Sequence, residues 1–144
     1  MLQIYVAQAL VEKGDSVDLA EAESLARKLI AWCSEKENKD TNNEVFARDV
    51  LVRSLVAQRN RGEDVVNEVK ALEDSLRNAD DKQAVLTARI TIGRAYASQR
   101  AFSRALSELR AAVAEAKKQS AVLQEMDGNL ALAETAKACE SSAT

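Results

Sequence analysis

Between Thr87 and Ala116 apolar residues recur every three or four positions in two runs, parted by a short polar break. The first run holds Ile92, Gly93 and Tyr96. The second holds Phe102, Ala105, Leu109 and Ala112. Such spacing places each run on one face of a helix. Two amphipathic helices joined by so short a link must fold back on each other. Weaker copies of this unit occur twice upstream. The pattern predicts helical hairpins over about residues 2–36, 43–78 and 81–118, and a final helix over about 120–138.

Each expected helix carries its own signals. Ile4, Ala7, Leu10 and Val11 form the first stripe, and Gly14 suits the position just past a helix end. Asp15 or Ser16 opens the next segment, and Asp18 reads as the better cap of a second helix from Leu19, with Ala22, Leu25, Ala26, Leu29 and Cys33 inward. Ile30 and Trp32 widen that face, and Trp32 reads as packing rather than as an interface anchor. The polar run Glu37–Asn43 separates the first hairpin from the second, with Thr41 or Asn43 as the next cap. Val45, Phe46, Val50, Leu51, Leu55 and Val56 follow. Arg59–Gly62 is the turn, and the fourth helix shows a narrow stripe of Val65, Val66, Val69, Leu72 and Leu76. Asp80 and Asp81 open the fifth helix. Ser120 is expected to cap the seventh, whose core face is read as Val122, Leu123, Met126, Leu130 and Ala133. Gly128 inside it costs about 1 kcal/mol relative to alanine. The segment Glu140–Thr144 is expected to fray.

Composition sharpens this into an all-α expectation. The 144 residues contain no proline and four glycines, and the strong helix formers Ala, Leu, Glu, Arg and Lys dominate. Hydrophobic residues make up 47% and charged ones 30%, which suits a folded domain with one core. The net charge of −3 comes from interspersed signs, so no basic face is expected for nucleic acid. Aromatics at 3% leave little for base stacking. No apolar run reaches membrane-spanning length, and Met1–Asp15 lacks a basic start and cleavage site. A soluble, cytoplasmic chain is the expectation. Cys33 and Cys139 stand alone, as packed thiols in a reducing compartment do.

The chain has no histidine. Cys/His zinc sites, Ser–His–Asp triads and Cys–His dyads are therefore excluded. The acids at Asp15, Asp18, Glu21, Glu23, Asp80 and Asp81 lack calcium-loop spacing and read as helix-end residues. Gly62 is followed by no phosphate-loop lysine. No enzyme activity and no cofactor are expected.

At Ile92–Ala112 the chain resembles the tetratricopeptide repeat, in which set small and large residues let two helices nest. Gly93 matches the close-crossing position, with Ile92 and Tyr96 beside it. Phe102 follows the turn, Ala105 is the second small position, and Leu109 and Ala112 complete the match. The upstream units match more loosely, at Val6, Ala7 and Leu10 and at Leu51, Val52 and Leu55. The closing proline common in that family is absent throughout. The flavour is that of divergent repeats in larger bacterial regulatory proteins.

The resemblance implies an α–α superhelix whose first helices line a concave wall. In its register Ile90 and Arg94 face the groove, matched by Asp49 and Arg53 and by Ile4 and Gln8. The expected partner-binding set is thus Gln8, Asp49, Arg53, Ile90 and Arg94, with both guanidiniums offered to a carboxylate. The implied role is a non-enzymatic scaffold for a protein or peptide. One alternative is an effector-sensing segment of a bacterial transcriptional regulator. Another is a structural, oligomerising bundle. Apolar residues start at the N-terminus, so Leu2, Ile4 and Val6 are expected to form an exposed edge. That edge would continue into a longer protein or join a homodimer.

Overall fold

The computed structural model describes residues 2–143; Met1, Thr144 and the side chain of Leu2 lie outside the description. Among the described residues there are seven α-helices and no strand. They are α1 (Leu2–Lys13), α2 (Ser16–Ser34), α3 (Thr41–Ala57), α4 (Gly62–Ser75), α5 (Lys82–Ser98), α6 (Phe102–Lys118) and α7 (Val122–Ala143). Single 3-10 turns at Lys36–Asn38 and Leu76–Asn78 follow α2 and α4. The all-α fold class expected from the pattern is therefore present.

The turns explain how the helices reverse. Gly14 has φ +78°, and Asn60, Arg100 and Ser120 also sit in the left-handed region. One such residue thus follows α1, α3, α5 and α6. Behind two of them the chain doubles back: the Ala101 N–H donates to the Tyr96 carbonyl at 3.0 Å, and that of Ala121 to Ala116 at 2.9 Å. These bonds satisfy carbonyls that a helix end leaves open. Asp81 caps α5 by accepting from the N–H groups of Gln83 and Ala84. Three caps differ from expectation. Ser120 sits in the left-handed turn after α6, and Ala121 directly precedes α7. Asp40, not Thr41 or Asn43, accepts from the Asn43 N–H at the start of α3. At α2 the flanking residue is Asp15, and Asp18 lies in the first turn near Lys13 (3.1 Å).

Packing follows chain order. α1 pairs with α2, α3 with α4 and α5 with α6, while α3 also packs on α2 and α7 on α6. The odd-numbered helices touch in sequence, α1 to α3, α3 to α5 and α5 to α7. α3 and α5 are thus inner helices and need apolar residues on several faces. On α5, Ala84, Leu86, Ala88, Ile90, Ile92, Gly93 and Ala95 are all buried. Fully burying a leucine such as Leu51, Leu55, Leu72 or Leu109 contributes about 1.5–3 kcal/mol each. Asn42 ties the starts of α3 and α5, donating to Asp80 at 2.6 Å and accepting from the N–H groups of Asp80 and Asp81.

Two glycines set helix approach. A Cβ on Gly93 would lie 2.5 Å from Leu109 on α6, so the crossing read from the sequence is present. A Cβ on Gly128 would lie 2.6 Å from Val113, which shows why α7 carries a residue that weakens a helix. That contact reverses the expected orientation of α7. Its buried residues are Gly128, Ala131 and Thr135. Leu123 and Met126 are 77% and 64% exposed, and Val122, Leu130 and Ala133 are exposed with them. Close approach to α6 selects the small-residue side. The helix also persists to Ala143 instead of fraying from Glu140.

Candidate functional site

α4 leans toward the first hairpin. The Arg61 guanidinium, just ahead of α4, meets Glu23 of α2 through two bonds of 2.8 and 2.9 Å. Glu68 of α4 lies 3.6 Å from Arg27 and 3.8 Å from Arg48. Against α5, α4 makes much slighter contact than α2 makes with α3. A trough is left between α4 and α6, floored by α5.

Three helical rows line the trough. Val66, Lys70, Glu73 and Arg77 come from α4 and the turn after it. Val85, Arg89, Ile92 and Tyr96 come from α5, and Arg104, Glu108, Ala111 and Glu115 from α6. Each row advances by four, three and four residues, which keeps it on one helix face. Cavities of about 340, 450 and 640 Å³ lie along the trough. The first shares Leu76 and Arg89 with the second and Glu73 and Arg104 with the third, so the three are continuous.

A polar cluster crosses the trough midway. The Tyr96 hydroxyl donates to Glu73 of α4. The Arg104 guanidinium lies 4.3 Å from the Tyr96 ring centroid and 3.7 Å from Glu73. Burial, followed by the Glu73 carboxylate, pushes the Tyr96 phenol up to about 12. Tyr96 thus stays a neutral donor at ordinary pH. Arg89 is exposed where two cavities meet and has no ion pair among the described residues. Its planar donor fork is open to a carboxylate.

The residues expected to bind a partner have a different setting. Asp49 and Ile90 are 3% and 1% exposed, so neither offers a contact surface. Asp49 lies 3.2 Å from Arg53 Nε, one turn along α3. Its Oδ1 and the Arg53 Nε have no well-aligned hydrogen-bond partner. Burial raises the Asp49 carboxyl above the ordinary range, against the pull of Arg53 and the Thr91 hydroxyl. Arg94 meets Asp127 of α7 at 2.8 Å and approaches Glu134 at 3.9 Å. Gln8, Arg53 and Arg94 are partly exposed. Both guanidiniums on this side are therefore already engaged within the chain.

Other expectations divide. Ile4 is buried, so it forms no exposed edge, whereas Tyr5 and Val6 are exposed; the Leu2 side chain lies outside the described residues. Trp32 is 48% exposed beside a cavity of about 300 Å³ with Gln3, Lys28 and Leu29, rather than packed in the core. Cys33 is buried and Cys139 half-buried, both as free thiols. No acidic or cysteine cluster able to hold a metal occurs among the described residues. Nor is any helix there long and apolar enough to cross a membrane.

No protein-family model matches the chain, and no curated protein or solved structure matches it. The trough rows were present in the sequence as three stripes of identical period. Their mixed character hid them, because charged residues such as Arg89 and Glu108 interrupt the apolar period. Only the lean of α4 brings the rows face to face.

Proposed function

We propose that this chain is a non-enzymatic helical-repeat scaffold, tetratricopeptide-like in its stacking, that holds an acidic segment of a partner protein in the trough between α4 and α6. The observation that carries this reading is the continuity of the three cavities along α5, with Arg89 unpaired at a junction. A partner carboxylate at Arg89 gains a charge-assisted bond without displacing an internal acid. The row of Gln8, Arg53 and Arg94 is the weaker surface, since a ligand there must compete with Asp49 and Asp127. The ordered contacts α1–α3–α5–α7 support a stack over a bundle closed around one axis.

A second reading, a sensor for a small effector, is favoured by one observation. The cavity of about 640 Å³ beside Tyr96 is of small-molecule size.

The test is selection of binders from a random peptide library on the folded chain, followed by mapping. Acid-rich peptides should emerge and shift the amide resonances of residues around Arg89. Arg89→Glu should weaken them more than tenfold and leave the thermal melt unchanged, because the residue is exposed. Selected peptides that ignore Arg89→Glu but are lost on Arg53→Ala with Arg94→Ala would move the site to the odd-helix row.

A further inference from the structure

We propose that the chain self-associates as a weak two-fold dimer in which α7 of one copy packs antiparallel on α7 of the other. The outward side of α7 carries Val122, Leu123, Met126, Leu130 and Ala133, all exposed. These positions fall on one face of the helix, opposite the buried Gly128, Ala131 and Thr135. The stripe is continuous and unbroken by charge from Val122 to Ala133, apart from flanking residues that turn away from it. At the N-terminal edge the exposed apolar residues are instead split between α1 (Tyr5, Val6) and α2 (Val17, Trp32).

Three features select a second copy, and the antiparallel sense, as the occupant. First, the stripe is self-complementary. With its midpoint at Gly128, Leu123 meets Ala133 of the other copy and Met126 meets Leu130, so large side chains face smaller or flexible ones. Second, the charges beside the stripe favour that direction. Lys117 and Lys118 stand just before α7, Glu134, Lys137 and Glu140 lie along its C-terminal half, and of the acids in its N-terminal half, Glu125 sits in the first turn while Asp127 is engaged by Arg94. Antiparallel pairing sets Glu134 and Glu140 of each copy toward the lysines and helix N-terminus of the other; parallel pairing stacks Glu134 on Glu134, Lys137 on Lys137 and Glu140 on Glu140. Lys137 ends the stripe as part of its polar rim. Third, one helix face can bury only about 700–1,000 Å² in total, at the low end for specific pairs. That size matches a weak, reversible pair, and a two-fold contact closes on itself.

Sedimentation equilibrium over about 5–500 µM should show monomer passing to dimer and stopping there. Leu130→Asp should weaken the dimer more than tenfold while circular dichroism and the thermal melt stay unchanged. A spin label at Glu140, in a chain carrying Cys139→Ser, should report a separation of about 35–40 Å between copies from the helix rise. A monomer at the highest concentration, growth beyond the dimer, association that survives Leu130→Asp, or a label separation of about 10–15 Å would each overturn the proposal.

Discussion

The Glu23–Arg61 pair offers the most quantitative test of how the second hairpin is set. The Arg61 guanidinium, against the opposing pull of burial, lowers the Glu23 carboxyl from its ordinary 4.5 to about 2. A difference of about 2.5 units corresponds to about 3 kcal/mol of preference for the charged form in the folded chain. Solvent reaches part of the Arg61 side chain, so about 2 kcal/mol is the working figure. The folded pKa is depressed. The stabilisation is therefore complete above about pH 4.5 and drains away as pH falls toward about 2. Glu23→Gln should lose about 2 kcal/mol at neutral pH, measured by urea unfolding, and the gap to the parent should close on acidification. Other carboxyls titrate in both proteins and cancel in the difference. Arg61→Lys, which keeps charge but not the two-pronged contact, should lose more than half as much. A gap below about 0.5 kcal/mol at neutral pH, or one that does not change with pH, would refute this account of what draws α4 toward α2.

Gly93→Ala sets a Cβ 2.5 Å from the buried Leu109; overpacking of about 1–3 kcal/mol exceeds the helix-propensity gain of about 1 kcal/mol, so the melt should fall by a few degrees. Arg100→Gly should raise stability by about 0.5–1 kcal/mol in the same assay, since Arg100 holds φ 62° where glycine suffers no side-chain penalty. Asp49→Asn should be neutral or stabilising near neutral pH, because burial already raises the carboxyl and an amide needs no charge desolvated. Arg53→Met, by contrast, strands the Asp49 carboxylate and should cost about 3–5 kcal/mol by denaturant unfolding, most at high pH, where the acid is charged.

Helix count, order and several caps were legible because they depend on local rules. A left-handed glycine at Gly14, an aspartate cap at Asp81 and a small residue at Gly93 each leave a mark within a few positions. Burial of whole helices was harder to read. α3 and α5 are covered on several sides, so a polar residue between apolar neighbours need not face water. Asp49 follows a groove-facing register yet ends up buried at the contact between α3 and α5, beside Arg53. Trp32 erred in the other direction: its neighbours pack, but it stands at the side of the stripe that no later helix covers. The trough depended on the lean of α4, which arises from pairs between residues 38 positions apart, Glu23 with Arg61, beyond the reach of periodicity.

α7 shows why an apolar face and a core face are separate properties. Periodicity reports that Leu123, Met126 and Leu130 share a side; it does not report which neighbour approaches. What decides is the distance available. α6 can come close only where α7 has no bulk, and Gly128 and Ala131 provide that side, with Val113 lying where a Cβ on Gly128 would be. Turning the large residues inward would put Met126 and Leu130 into a gap sized for a hydrogen and a methyl, at the cost of separating the helices. The small-residue side therefore goes in, and the large-residue side goes out. Three large aliphatic side chains at more than half exposure forgo about 1 kcal/mol or more each of burial. No described helix covers that side of α7, so this burial is not recovered among the described residues. Contact with another surface recovers it, and the self-complementary stripe makes a second α7 a suitable one.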